Sequence, residues 1–101
     1  MTHLPQRWQG IILRIVRGYY PHARLVAWGS MVDSGPHTAG PGDRLELAIL
    51  DPADPNPVKL AAIRADLDAS DVPVDIDLRP LSDLTLAEQE DALQRGEQFG
   101  G

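Results

Sequence analysis

Hydrophobic side chains between positions 5 and 20 recur at intervals of three and four residues, which is the period of an amphipathic helix. Pro5 suits the first turn of such a helix, because the N–H that proline lacks has no helical acceptor there. Gly18 and Pro21 favour its end. The pattern therefore predicts a first helix over residues 5–20. Its apolar stripe comprises Leu4, Trp8, Ile11, Ile12, Ile15, Val16 and Tyr19.

Three later segments have the pattern of β-strands. Residues 23–28 form a short apolar run that ends at Gly29 and Ser30, which predicts a buried strand followed by a sharp turn. Apolar and polar residues alternate over 44–50 and again over 72–79. This alternation predicts two more strands, each with one buried and one polar face.

The segments between the predicted strands differ in kind. Glycine and proline are frequent over residues 31–43, which predicts a flexible loop, with room for a short helix over residues 30–33. After the second strand, Asn56 and Pro57 suit the cap and the first position of a helix that runs to about Leu67. We therefore expect a helix to join the second and third strands.

The last predicted element is a helix near the C-terminal end. Thr85 and Glu88 have the spacing of a capping box, and the helix that they open should end near Gly96. The order is then helix, strand, a short optional helix, strand, helix, strand, helix. This order predicts one α/β domain of the α+β kind over residues 1–101. Its sheet should be mixed and mostly three-stranded, with helices mainly on one face and the other face open to carry a site.

Composition and charge narrow the classes of function. The chain has 101 residues, with 9 Lys and Arg against 15 Asp and Glu, for a net charge of -6. Because no basic stripe is visible, we do not expect direct binding to nucleic acid. The absence of cysteine excludes disulfides and thiolate chemistry. No early apolar stretch has the length of a signal peptide or a membrane span, so a cytoplasmic protein without a membrane partner is expected.

Acidic side chains fall on the polar faces of the second and third predicted strands. Glu46 belongs to the second strand, and Asp75 and Asp77 belong to the third. If the two strands are neighbours, these carboxylates crowd onto one surface, which is unfavourable without a cation such as Mg²⁺. A hydroxyl at Ser30, in the turn at Gly29, would complement a bound phosphate. Taken singly, however, a Gly-Ser turn and acids on a solvated strand face have a purely structural interpretation.

In this order, the features resemble the minimal nucleotidyltransferase (MNT) domain of the DNA polymerase β superfamily, the small partner in bacterial HEPN/MNT toxin–antitoxin pairs. The family pattern is a strand ending in aromatic-Gly-Ser, then an Asp-x-Asp-Leu strand, and later a third Asp in a Val-Asp strand. The corresponding segments here are residues 26–30, 42–49 and 72–78, and residues 91–99 are similar to the closing helix of the family.

The resemblance implies a nucleotidyltransferase-like fold and Mg²⁺-dependent transfer from an NTP, taken as ATP, to a protein partner. In the family, the acceptor can be a tyrosine of a HEPN-type toxin. The residues that would carry the reaction fall into three groups. These are Gly29 and Ser30 for nucleotide binding, Asp43, Glu46 and Asp75 for catalysis, and Glu46, Asp75 and Asp77 for the metal ion.

The acidic motif departs from the family pattern. When the hydrophobic residues of this segment are aligned with those of the family pattern, Arg44 lies where the first Asp belongs and Glu46 where the second belongs. Asp43 could supply the missing acid only through a bulge, because residues three apart in a straight strand point to opposite faces. Otherwise Arg44 would neutralise the acids as an ion pair, in the place of the metal.

Three functions therefore stay open. The first is an active nucleotidyltransferase. The second is a catalytically impaired domain that neutralises a HEPN-type toxin by direct contact, and the third is a small interaction domain unrelated to nucleotides. The oligomeric state is open as well, with pairing of two copies as one option.

Overall fold

A computed structural model describes residues 4–29, 44–52 and 54–100 of the chain. The predicted loop over residues 31–43 and the short helix over 30–33 lie outside these ranges. The described residues form three α-helices, namely Gln6–Arg17 (α1), Pro57–Asp68 (α2) and Leu86–Arg95 (α3). They also form four β-strands, namely Arg24–Trp28 (β1), Arg44–Asp51 (β2), Asp75–Pro80 (β3) and Glu97–Phe99 (β4), and a 3₁₀ turn over Leu81–Asp83.

The helix starts follow the capping chemistry of the sequence. Oδ1 of Asn56 accepts hydrogen bonds from the backbone N–H groups of Val58 and Lys59, which satisfies donors in the first turn of α2. At the start of α3, Thr85 and Glu88 form the predicted capping box, in which each side chain accepts from the backbone N–H of the other residue. Both predicted helix starts are thus confirmed.

The strands form one mixed sheet in the order β3-β2-β1-β4. β1 pairs antiparallel with both β2 and β4, and β2 pairs parallel with β3 across the α2 connection. An α+β fold with a mixed sheet was predicted and is confirmed. The expected strand count of three is wrong, because the described residues contain a fourth strand. The third strand also begins later than predicted, at Asp75.

The fourth strand directly follows α3, in a segment where the sequence predicted no strand. Gly96 makes this close passage possible, since a Cβ there would collide with the carbonyl oxygen of Ala92 and lie 2.6 Å from Cγ2 of Val26. Three residues then pair with β1, and Phe99 is buried at their end. A strand this short has too few residues for an alternation pattern to reveal it.

One face of the sheet, which we call the core face, packs against α1 and α2. Every buried residue in this layer is apolar. Ile12 and Val16 of α1 are fully buried there, as is Ile63 of α2. The strands contribute alternate residues to this face, namely Leu25, Ala27, Leu45, Leu47, Ile49 and Leu78.

The opposite face of the sheet is covered in part, so the prediction that it is left open is wrong. A second apolar cluster lies on it, where the segment after β3 and helix α3 pack against β1 and β2. The buried members of this cluster are Val26, Trp28, Ala48, Leu84 and Ala92. The helices are therefore divided between the two faces, with α1 and α2 on one and α3 on the other.

The described helices are too short and too polar to cross a lipid bilayer.

Candidate functional site

Parallel pairing of β2 and β3 brings the predicted acidic residues together beside Trp28. Glu46 pairs in register with Trp28 of β1 on one side and with Asp77 of β3 on the other. Asp75 lies two residues earlier on β3, opposite Arg44. Because alternate residues share a face, Glu46, Asp75, Asp77 and Arg79 all lie on the side opposite the core face. We call this group of four residues the acidic face.

The turn at Gly29 abuts the acidic face directly. Gly29 has a φ of 90°, a conformation that side-chain-bearing residues rarely adopt. A Cβ at this position would also collide with Oε2 of Glu46. The backbone conformation therefore favours glycine here, and a larger residue would also make the flexible end of the Glu46 side chain move away. The Gly29 turn and the Glu46 carboxylate are therefore neighbours.

Arg79 supplies a cation to the acidic face from within β3. Its Nε lies 3.6 Å from Oδ2 of Asp77, and one of its terminal nitrogens lies 3.5 Å from Oε2 of Glu88 on α3. The side chain of Arg79 is 28% exposed. Charge pairs in such a partly shielded position are screened by water less than pairs on the open surface.

The guanidinium of Arg79 also reaches the aromatic ring of Trp28. Its central carbon lies 5.9 Å from the ring centroid, within the range of a cation–π contact. Arg79 pairs in register with Ala48, whose small side chain separates it from β1. Trp28 Nε1 and Arg79 Nε are both buried and have no hydrogen-bond acceptor among the described residues.

Glu88 has an altered protonation equilibrium at this position. Its pKa is lowered, first because the backbone N–H of Thr85 donates to the carboxylate and also because Arg79 is near. Partial desolvation acts in the opposite direction. The carboxylate therefore favours its charged form, which suits its roles as a cap for α3 and as a partner of Arg79.

The family resemblance implies a Mg²⁺ site, so the donor set can be compared with that requirement. Magnesium prefers octahedral oxygen ligands, usually one or two carboxylates together with waters and substrate phosphates. No group of three or more His, Asp or Glu residues able to hold a metal occurs in the part of the chain that the structure describes. Arg44 lies opposite Asp75, and Arg79 contacts Asp77. Among the described residues, two of the three predicted magnesium ligands therefore have an arginine beside them.

The predicted site residues divide into those that the structure describes and those that it does not. Gly29, Glu46 and Asp77 lie next to one another. Asp75 lies two residues before Asp77 on β3, where it pairs in register with Arg44. Ser30 and Asp43 lie outside the described residues, so their proposed roles stay predictions.

The roles of Arg79, Trp28 and Glu88 on this face were not predicted from the sequence. One signal was present, because Asp77 and Arg79 are two residues apart on a predicted strand and must share a face. The contacts of Arg79 with Trp28 and Glu88 had no such signal. They depend on the order of the strands and on the face to which α3 returns.

A cavity lies at the other end of the sheet, away from the Gly29 turn. Its volume is about 310 Å³, and its walls are mainly apolar. Residues Tyr20, Pro21, His22, Ala23, Asp51 and Pro52 line it. None of the predicted site residues belongs to this lining, and it contains no cluster of charged groups suited to a triphosphate.

Neither a scan against protein-family models nor a search of curated proteins finds a match for this chain.

Proposed function

We propose that the chain is a nucleotidyltransferase-like domain that acts by binding a protein partner and whose acidic face does not support metal-dependent transfer. The observation that carries this proposal is the ion pair of Arg79 with Asp77, on the face that also carries Glu46. A cation fixed within about 4 Å of a Mg²⁺ site repels the ion by several kcal/mol at intermediate dielectric. Arg79 therefore disfavours the divalent ion that transfer requires.

The position of Arg44 supports the same conclusion. It pairs in register with Asp75, so two of the three predicted metal ligands have an arginine as a near neighbour. By the family pattern, Arg44 also takes the place of the first catalytic acid. Both departures reduce the negative charge where two metal ions would have to be held.

Helix α3 offers a surface for the partner. Leu86 is 78% exposed and Leu93 is 58% exposed, and residues seven apart lie on one side of a helix. The buried residue of the same helix is Ala92, which belongs to the second apolar cluster on the sheet. We propose a HEPN-type toxin as the partner, on the family resemblance, and expect a basic surface on it because the chain carries a net charge of -6.

The direct test measures binding of the purified chain to a candidate HEPN-type toxin by titration calorimetry. We expect Leu86→Asp and Leu93→Asp each to weaken binding by at least tenfold, because a charge would then face an apolar contact. Val58→Asp is the matched control, since Val58 is 79% exposed but lies on α2. Equal losses in all three variants, or no binding by the wild type, would count against the proposal.

An active nucleotidyltransferase remains the second candidate, because the Gly29 turn and Glu46 are in contact and Glu46 lies beside Asp77. Incubation with Mg²⁺ and α-labelled ATP, with and without the toxin, separates the two functions. Label transfer that disappears in Asp75→Asn would establish the enzyme and refute the binding-only function. We expect no transfer and no binding of Mg-ATP at millimolar concentration. Any ATP binding that does occur should weaken strongly on addition of EDTA, since the acidic chain repels free NTP.

A further inference from the structure

β3 is an outer strand of the sheet that the described residues form, with β2 as its neighbour on the inner side. The backbone N–H and C=O groups of successive strand residues point to opposite sides. Every second residue of β3 therefore directs its two backbone groups away from β2. Outward groups of this kind can pair with a strand of another chain, and proteins commonly block them.

Arg64 of α2 occupies one of the outward groups of β3. Its Nε donates a hydrogen bond of 2.9 Å to the carbonyl oxygen of Leu78. An arginine on a covering helix can reach around the edge of a sheet, whereas the space between two paired strands is filled by their own hydrogen bonds. The contact therefore indicates that the backbone groups of Leu78 face away from β2.

Pro80 gives an independent indication of the same orientation. It pairs in register with Ile49 at the end of β3, two residues after Leu78, so its backbone faces the same side as that of Leu78. Proline has no N–H, and in a sheet it is confined to positions where that donor would face away from the neighbouring strand. Leu78 and Pro80 therefore both face outward, and Ile76 must do so as well.

A second copy of β3 would fit this edge in one antiparallel register, centred on Asp77. Ile76 of each copy would then lie opposite Leu78 of the other, and each would exchange an N–H and a C=O with its partner. Half of these hydrogen bonds use the carbonyl oxygen of Leu78. Arg64 holds that oxygen, so the pair cannot form while the arginine is in place.

The side chains are self-complementary in the same register. Asp75 of each copy would lie opposite Arg79 of the other, which gives an opposite-charge pair at both ends of the contact. The like-charge contact is a single one, between Asp77 and its own copy at the centre. A surface that matches itself about a twofold axis is what a symmetric dimer requires.

We propose that the outer edge of β3 is a pairing surface for a second copy of this chain and that Arg64 keeps it closed. The inference is independent of the partner surface proposed on α3. The simpler alternative is that the contact between Arg64 and Leu78 only fastens α2 to the sheet. Removal of the arginine would then lower stability without any change in self-association.

The test compares Arg64→Met with Lys59→Met by sedimentation velocity over a series of protein concentrations. Both variants remove one positive charge from an exposed position of α2. We expect Arg64→Met to associate at least about tenfold more tightly than the wild type, because the Leu78 carbonyl of each copy becomes free to accept. Lys59→Met should associate as the wild type does. Both changes make the acidic chain more negative, so a general charge effect would weaken association instead.

The register is tested in the Arg64→Met background. Asp75→Lys would place a cation opposite Arg79 of the other copy, so it should weaken the dimer roughly tenfold. It also makes the chain less negative, so the weakening cannot come from net charge. Asp77→Asn removes the like-charge contact at the centre and should tighten the dimer.

Hydrogen exchange tests the open edge in the wild type, whether or not a variant folds. The amides of Ile76 and Leu78 should exchange faster than the amide of Asp77, whose N–H faces β2. In a dimer of Arg64→Met, the amides of Ile76 and Leu78 should become protected.

Four results would overturn the inference. They are equal association of Arg64→Met and Lys59→Met, a dimer that Asp75→Lys does not weaken, an amide of Ile76 or Leu78 that exchanges as slowly as that of Asp77 in the wild type, and an Arg64→Met chain that does not fold. The last would show that Arg64 is needed for the fold itself. No toxin or nucleotide is involved, so these results leave the proposed function unaffected.

Discussion

The two faces of the sheet are stabilised in different ways. Between the core face and helices α1 and α2, the buried residues are all apolar. Under α3, a smaller apolar cluster adjoins the charges of Glu46, Asp77, Arg79 and Glu88. The two buried side-chain nitrogens without an acceptor among the described residues, on Trp28 and Arg79, both lie on this second face. The core face is therefore stabilised by apolar packing, whereas the second face also depends on the compensation of its charges.

The largest contrast between the faces should appear at two adjacent residues of β2. Leu47 is buried in the core face, and Glu46 lies on the acidic face. Leu47→Ala should lower the free energy of unfolding by about 2–5 kcal/mol, because it removes buried apolar surface and leaves a cavity. Glu46→Ala should cost less than about 1 kcal/mol, since it also removes one of several neighbouring like charges.

Urea denaturation monitored by Trp fluorescence measures both effects. The exposed Val58→Ala is the control for loss of methyl groups without loss of burial, and it should change stability by less than about 0.5 kcal/mol. If Glu46→Ala proved as costly as Leu47→Ala, the contrast between a packed face and a charge-compensated face would not hold.

Predictability from the sequence follows the same division. The core face could be predicted because the alternation around Leu47 and the helical stripe around Ile12 record burial directly. The capping residues Asn56 and Thr85 were predictable because their chemistry is local. None of these signals depends on which strands become neighbours.

The composition of the acidic face could be predicted only in part. Placing Glu46, Asp75 and Asp77 on polar faces needs only the period of a strand, and their meeting needs only that β2 and β3 pair. The contacts of Arg79 need the full strand order and the return of α3 across the sheet. A three-residue strand such as β4 carries too little pattern to indicate either.

The second test compares Gly29, at the edge of the acidic face, with Gly10 in α1. Alanine should be unfavourable at Gly29 and favourable at Gly10. Gly29→Ala should destabilise the fold by about 1–3 kcal/mol, because its φ of 90° is strained for alanine and the new Cβ displaces the Glu46 carboxylate. Gly10→Ala, in the middle of α1 and with open space around it, should stabilise by up to about 1 kcal/mol. Chemical denaturation gives both values, and the sign difference is the result to check. A Gly29→Ala variant as stable as the wild type would show that the turn does not need the left-handed backbone conformation of Gly29.

A smaller effect is expected where α3 begins. The Thr85 side chain accepts from the N–H of Glu88, so Thr85→Ala should cost about 1 kcal/mol. Thr85→Ser keeps the accepting oxygen and should retain most of the stability. Hydrogen exchange of the amides in the first turn of α3 would show whether the loss is local to that helix. If the exchange rates of Thr85→Ala and Thr85→Ser did not differ, the capping box would not contribute to holding α3 on the sheet.

The smallest effect separates charge from packing on the second face. The pKa of Glu88 is lowered in the folded chain, so its charged form stabilises the fold above the unfolded pKa. That contribution is lost as the pH falls from about 4.5, the unperturbed value, through the lowered pKa of the folded state. Glu88→Gln keeps a side-chain oxygen that can accept from Thr85 but removes the titration, so its unfolding free energy should depend less steeply on pH in this window. Glu90→Gln, an exposed change on the same helix, is the control for the loss of one carboxylate. Identical slopes for the two variants would mean that the charge on Glu88 contributes nothing to the attachment of α3.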